Sequence, residues 1–134
     1  YPLADLFLDT VPYNAHTTAS DALWAGVPVL TMTGRSFASR VGASLLTTLG
    51  VPELITSTES EYKALAIELA HNAEHRSRLR HKVVSLRDSS PLFKGNALAP
   101  YIEAAYRAVA DRHSKGLPTC NLNVYADGEV QFES

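Results

Sequence analysis

Asp5-Leu-Phe-Leu-Asp9 is a short apolar run closed by an acid, and Pro28-Val-Leu-Thr-Met32 is a second run, bounded by Gly26 and by Thr33-Gly34. Runs this short, set between breakers, predict buried strands. Between them, His16 to Ala25 carries the helix formers Ala19, Ala22, Leu23 and Ala25 and stops at Gly26, which predicts a helix with a glycine terminator. After the second run, Phe37, Val41, Leu45 and Thr48 recur at helical spacing up to Gly50, with Pro52 just beyond. A second helix is therefore expected over Phe37 to Leu49. Strand, helix, strand, helix is the alternation of a parallel α/β sheet with helices on its faces.

Beyond Pro52 the pattern reads as helical throughout. Thr58 and Glu61 stand three apart, as in a capping box, ahead of a stripe of Tyr62, Leu65 and Leu69. From Glu74 to Arg87, Leu79, Val83 and Leu86 form the apolar face, and Arg76, Arg78, Arg80 and Lys82 are expected to face solvent. Ser89-Ser-Pro-Leu-Phe93 breaks this helix. Leu98, Ile102, Ala105 and Val109 define a last amphipathic helix whose first turn has to accommodate Pro100. From His113 the composition changes, and Asp127-Gly128 between alternating residues signals a terminal hairpin. The organisation expected is a lobe over residues 1–112 followed by an extension over 113–134, with no internal repeat or low-complexity tract.

Composition narrows the classes available. With 134 residues, 46% hydrophobic and 19% charged, the chain suffices for one globular core and carries too little charge for a disordered tail. Twelve Lys+Arg against 14 Asp+Glu give a net charge of −2, so no basic field exists to hold nucleic acid or an anionic membrane. An anionic ligand has to be gripped locally. The apolar runs are far short of the ~20 residues that span a bilayer, and no signal segment opens the chain. The single cysteine, Cys120, leaves no intrachain disulfide framework and no multi-cysteine zinc site, which fits a reducing compartment; the cytoplasm is the expected location. Because the chain begins at Tyr1 and enters a strand-like run almost at once, it reads as part of a longer protein.

The chemistry is concentrated between Pro12 and Leu30. This stretch leaves the carboxyl end of a strand, where open α/β sheets bind ligands, and leads into a helix whose first N–H groups have no intrahelical partner. Free amides and the positive end of the helix dipole favour a phosphate, and the hydroxyls of Thr17 and Thr18, with His16, add groups beside them. Asp21 lies four residues after Thr17 and three after Thr18, so it shares their side of the helix and is placed to accept hydrogen bonds from a ribose. Each residue also has a simpler reading. His16 and Thr17 serve as helix caps, Asp21 as a first-turn acid complementing the dipole, and Tyr13 and Trp24 as packing residues.

Asn14-Ala-His-Thr-Thr, Asp21, Leu-Trp-Ala-Gly-Val-Pro and Gly34-Arg-Ser-Phe-Ala-Ser-Arg-Val41 resemble the carboxyl-terminal catalytic lobe of protein O-GlcNAc transferases, the bacterial members especially. The similarity runs from Ala4 to about Tyr106, includes Leu49-Gly-Val-Pro-Glu-Leu54 and Ser89-Ser-Pro-Leu-Phe93, and leaves out the hairpin. It implies a Rossmann-like nucleotide-sugar-binding lobe of a GT-B glycosyltransferase, one of two lobes facing a cleft. His16, Thr17 and Thr18 match the family's pyrophosphate-binding turn, Asp21 matches the acid holding the ribose of UDP, and Tyr13 falls beside the sugar's acetamido side. Arg40 is expected in a salt bridge between helix and loop.

The implied reaction is inverting transfer of N-acetylglucosamine from UDP-GlcNAc to Ser or Thr of proteins. No Asp-X-Asp pair is present for a divalent metal, so the resemblance and the residues together imply metal independence and no cofactor. The family's amino-terminal lobe with its candidate base, its upstream lysine and the tetratricopeptide array that recruits protein substrates have no counterpart in this chain. No catalytic residue is therefore assigned here, and the segment alone is expected to be inactive. Two alternatives stay open. One is a SPINDLY-like protein O-fucosyltransferase using GDP-fucose, though that type lacks the histidine before Thr-Thr; the other is a non-catalytic module that binds a nucleotide or a partner. An RNA-binding surface on the Arg76 to Lys82 cations is the remotest reading, because no aromatics accompany them.

Overall fold

A computed structural model describes residues 1 and 3–133, and the chain divides into two units, Tyr1–Phe93 and Lys94–Ser134. In the first, strands β1 (Phe7–Leu8), β2 (Val29–Met32) and β3 (Ile55–Thr56) form a parallel sheet in the order β1-β2-β3. Helices α1 (Thr17–Trp24), α2 (Val41–Leu49), α3 (Glu59–His71) and α4 (Ala73–Arg87) complete it, so the expected parallel α/β architecture is present. β2 is the middle strand, and its Val29, Leu30 and Thr31 are fully buried. β1 is paired on one side alone among the described residues, and its Leu8 is 54% exposed, so the first apolar run is less buried than expected. β3 lies where the sequence reads as wholly helical: it has two residues, preceded by a single 3-10 turn at Pro52–Leu54, and is too short to show a period.

α1 turns Ala19, Ala22 and Leu23 into the core, against residues that include Val27, Leu46 and Val83. Its far end is fixed by α4. Arg87 donates from Nη1 to the Trp24 carbonyl at 3.0 Å and lies over the indole at 5.1 Å, while Phe93 meets that ring edge-on at 5.2 Å. Gly26, at φ +80°, makes the turn into β2 in a conformation that favours glycine.

α2 begins later than expected, at Val41, and buries Gly42, Leu46 and Leu49 rather than a stripe through Phe37 and Thr48. Phe37 lies before the helix and is 76% exposed. The reason is local: Ser36 and Ser39 close a tight turn with hydroxyl-to-hydroxyl contact at 2.9 Å, so the helix cannot extend back to residue 37. Arg40 donates from Nε to the Ser36 carbonyl at 3.3 Å, which replaces the expected salt bridge by a hydrogen bond to backbone.

The Thr58–Glu61 capping box opens α3 as expected, with Glu61 N–H donating to the Thr58 hydroxyl at 3.2 Å and Thr58 N–H donating to the Glu61 carboxylate at 3.2 Å. Of the four cations expected to face solvent, Arg76, Arg78, Arg80 and Lys82, three are tied to other parts of the fold, as Arg87 of the same helix is. Arg76 donates to the Leu69 and Ala70 carbonyls at the end of α3, Arg80 reaches the Ala4 carbonyl at 3.0 Å, and Lys82 pairs with Glu53 at 2.6 Å. Arg78 pairs with Glu74 along the exposed face.

The second unit is a helix and a ribbon. α5 (Gly95–Ser114) holds Pro100 inside it rather than in its first turn, and none of its residues is fully buried. It contacts β4 (Leu122–Val124) and β5 (Val130–Phe132), with Tyr101 donating to the Ala126 carbonyl at 3.1 Å and Arg112 lying 4.9 Å from the Phe132 ring centre. α5 and the ribbon thus form one compact unit. The ribbon itself is the expected antiparallel hairpin, with Asp127-Gly128 in its turn and Gly128 at φ +84°.

Candidate functional site

β1 ends at Leu8, and the chain from residue 9 to residue 16 crosses its carboxyl end into α1. Side chains buried beneath this connection hold it. Parallel pairing of Phe7 with Val29 and Leu8 with Leu30 sets Asp9 beside Thr31, and the Thr31 hydroxyl donates to Asp9 Oδ2 at 2.6 Å. Asp9 Oδ1 accepts from the amides of Thr10 at 2.8 Å and Ala15 at 2.6 Å. Asn14, fully buried, donates through Nδ2 to the Thr10 carbonyl at 3.0 Å, and its own amide donates to the Ala38 carbonyl at 2.9 Å. Tyr62 of α3 donates its hydroxyl to the Asp9 carbonyl at 2.9 Å. Burial, and secondarily the charge of Asp9, raise the Tyr62 phenol above the ordinary tyrosine value, so it stays protonated and donating at neutral pH.

His16 is the N-cap residue of α1 but makes no side-chain capping bond. The first intrahelical bond runs from Ser20 N–H to the His16 carbonyl at 3.1 Å, so the amides of residues 17–19 precede the helical ladder. Thr17 and Thr18 are exposed, and among the described residues neither hydroxyl meets a partner, which removes the capping reading for Thr17. The His16 ring is stacked on Tyr13 with centroids 4.9 Å apart and meets Phe37 edge-on at 6.1 Å. Among the described residues, the buried side-chain polar atoms without a partner are Asn14 Oδ1 and His16 Nε2, and both belong to this one connection. A buried polar atom without a partner costs about 1–3 kcal/mol, and native folds retain such atoms chiefly where something else completes them.

Asp21 is exposed, on the side of α1 opposite the buried Ala19, Ala22 and Leu23, and shares that side with Thr17 and Thr18. It falls in the second turn: the first turn of α1 holds no acidic residue, which weakens the dipole reading, since that effect fades beyond the first turn. Tyr13 is 64% exposed, so it is not the buried packing residue its type suggests; its ring stacks on that of His16. Sequence reading did not single out Phe37 as a neighbour of His16, nor Asp9, Asn14 and Gly42 as the frame of the connection. The acid that closes the first apolar run was the available signal for Asp9, and Asn14 and Phe37 lie in the segments that carry the resemblance; nothing marked Gly42.

A helix start carrying two unpartnered hydroxyls, free amides and an incompletely bonded histidine, at the carboxyl end of a parallel strand, can take an anion with a polar group attached. The sequence profile of Glycosyl transferase family 41 matches residues 2–102. The chain belongs to Glycosyl transferase family 41. Among its relatives, a UDP-N-acetylglucosamine--peptide N-acetylglucosaminyltransferase of Caenorhabditis elegans is 42% identical over 116 residues, which are 87% of this chain and 10% of that protein. A probable UDP-N-acetylglucosamine--peptide N-acetylglucosaminyltransferase SPINDLY of Arabidopsis thaliana is 40% identical over 116 residues, 87% of this chain and 13% of that one. A solved structure, a Thermobaculum terrenum O-GlcNAc transferase mutant, superposes with a TM-score of 0.68 at 37% identity, covering 78% of this chain and 20% of that chain. The chain therefore spans about a tenth of the length of the curated family 41 relatives it matches. The matched span takes in the whole connection from β1 to α1 and ends within α5, so the ribbon lies beyond it.

Proposed function

We propose that this chain is the part of a family 41 glycosyltransferase that holds the nucleotide of a sugar donor, UDP-GlcNAc, for inverting transfer of N-acetylglucosamine to Ser or Thr of proteins. The observation that carries the reading is the start of α1, where, among the described residues, the hydroxyls of Thr17 and Thr18 and the amides of residues 17–19 are without partners beside His16. In the reaction, the bond between the sugar's anomeric carbon and the diphosphate oxygen breaks as the acceptor oxygen bonds to that carbon from the opposite face. The acceptor's proton passes to a base that this chain does not supply. Negative charge accumulates on the departing diphosphate, and fixed donors aimed at it stabilise the transition state. Thr17, Thr18 and the helix amides are assigned that role, Asp21 the ribose hydroxyls and Tyr13 the acetamido side of the sugar.

The same donors, with the helix dipole, are proposed to compensate the diphosphate without a divalent metal. The further family parts, an amino-terminal lobe with the base and a tetratricopeptide array for protein acceptors, belong to the proposal, supported by the small share of each relative that this chain spans. A cytoplasmic setting is proposed as well, supported by the exposed, unpaired thiol of Cys120. Identities of 42% and 40% do not separate an O-GlcNAc transferase from a SPINDLY-type donor choice, so the donor rests on His16 and Asp21.

The full-length protein, incubated with protein acceptor and either UDP-GlcNAc or GDP-fucose in the presence of a chelator, is expected to transfer N-acetylglucosamine. Transfer of fucose instead selects the alternative donor. Transfer from neither, with or without divalent metal, contradicts the assignment as a transferase.

A further inference from the structure

We propose that Asp9 is a positioning residue for the nucleotide site: its buried carboxylate sets the connection that presents His16, Thr17 and Thr18. The proposal rests on the nucleotide reading above. Asp9 is only 4% exposed, and it extends β1 on the face where the sheet meets α2. A carboxylate there is costly to desolvate, and an apolar residue of similar size is the usual occupant of such a position. Hydrogen bonds from separate elements offset the cost. Thr10 and Ala15 donate their amides from the connection, and Thr31 donates its hydroxyl from β2.

These bonds do not hold the core together; they hold the connection to the core. Ala15 immediately precedes the N-cap His16, and its amide donates to Asp9 Oδ1 at 2.6 Å, so the carboxylate fixes the backbone at the entry to α1. Asp9 itself makes no bond to Thr17 or Thr18 among the described residues, and it acts on them through that amide. Thr31 fixes the other carboxylate oxygen, and α2 closes over the pair because residue 42 is glycine. A Cβ there would lie 2.6 Å from Asp9 Oδ2 and 2.5 Å from the Thr31 hydroxyl. Close approach of α2 thus confines the carboxylate to the orientation in which Oδ1 meets the connection. Tyr62, bonded to the Asp9 carbonyl, holds the same residue from the α3 side.

Asp9→Asn preserves the shape and an oxygen for the two amides but removes the charge assistance of those bonds. The test uses the full-length protein with UDP as the probe: calorimetric affinity, thermal midpoint, and a double-mutant cycle combining Asp9→Asn with Thr18→Val. Asp9→Asn is expected to weaken UDP roughly fivefold in protein that is folded at the measuring temperature. The effect of Thr18→Val is expected to be smaller in the Asp9→Asn background than in wild type, because both act on one turn. A core role alone lowers the thermal midpoint, leaves the UDP affinity of the folded protein unchanged and gives additive effects; that result overturns the proposal. Should Asp9→Asn not fold, Thr31→Val, which keeps the volume and removes the donor to Oδ2, is expected to weaken UDP about two- to threefold, and an unchanged affinity there overturns it equally. Wild-type protein that fails to bind UDP removes the nucleotide reading and this proposal with it, whereas wild type that binds, with both variants matching it, removes only the role of Asp9.

Discussion

Thr18→Val in the full-length protein is expected to weaken UDP binding about ten- to a hundredfold while leaving stability nearly unchanged. The two halves of the expectation have separate causes. In the free protein the Thr18 side chain is exposed and its hydroxyl has no partner among the described residues, so its removal strands no buried group. Valine has the same branched shape and a similar helix propensity, and a surface change of this kind stays within about 0.5 kcal/mol. On the proposed reading the hydroxyl donates to a charged diphosphate oxygen in the complex, a bond worth roughly 1.5–3 kcal/mol. Calorimetric titration of UDP into folded wild type and variant measures the difference. Equal affinities take Thr18 out of the site.

Asp21→Asn separates a nucleotide site from a plain anion site. If Asp21 accepts from ribose hydroxyls, the amide keeps the shape and loses the charge assistance, so UDP weakens by about 1–3 kcal/mol. Inorganic pyrophosphate, which has no ribose, is expected to bind the variant as well as wild type or slightly better, since a negative charge has left the helix. The alternative, an acid that merely complements the helix dipole, is disfavoured by its place in the second turn of α1. On that alternative the variant binds both ligands normally. Weakening of both ligands alike would instead point to a disturbed α1 rather than to a lost ribose contact.

The parts of this molecule that could be read in its sequence are those whose physics is local. Glycine after a run of helix formers ended α1 where Gly26 adopts φ +80°, and the Thr58–Glu61 spacing formed both reciprocal bonds. The Asp127-Gly128 turn closed the ribbon. What escaped depended on partners distant in the chain. Ile55–Thr56 is a strand because β2 offers it an edge, and two residues carry no period of their own. The Phe37, Val41, Leu45 and Thr48 spacing suggested the buried side of α2, yet the helix turns Gly42 inward because Asp9 and Thr31 leave room for no side chain there.

Arg76, Arg80 and Lys82 looked like a solvated charge run until the carbonyls of Leu69, Ala70 and Ala4 and the carboxylate of Glu53 came into reach. At the site, the unpartnered amides and hydroxyls at the start of α1 were legible, since they follow from sequence position alone. The frame behind it did not: that His16 lies between Tyr13 and Phe37, and that Asp9 reaches Ala15, are consequences of the fold.

Hydrogen exchange of the full-length protein, followed by mass spectrometry with and without saturating UDP, reads the start of α1 itself. The amides of residues 17–19 lie outside the helical ladder and are expected to exchange quickly in the free protein and to slow when the diphosphate accepts from them, in the peptide that runs from the β1–α1 connection through Asp21. Slowing in that peptide, reduced in Thr18→Val at the same UDP concentration, is the predicted result. Exchange there that is identical with and without UDP, while another segment of the bound protein becomes protected, would contradict the assignment of this turn as the nucleotide site.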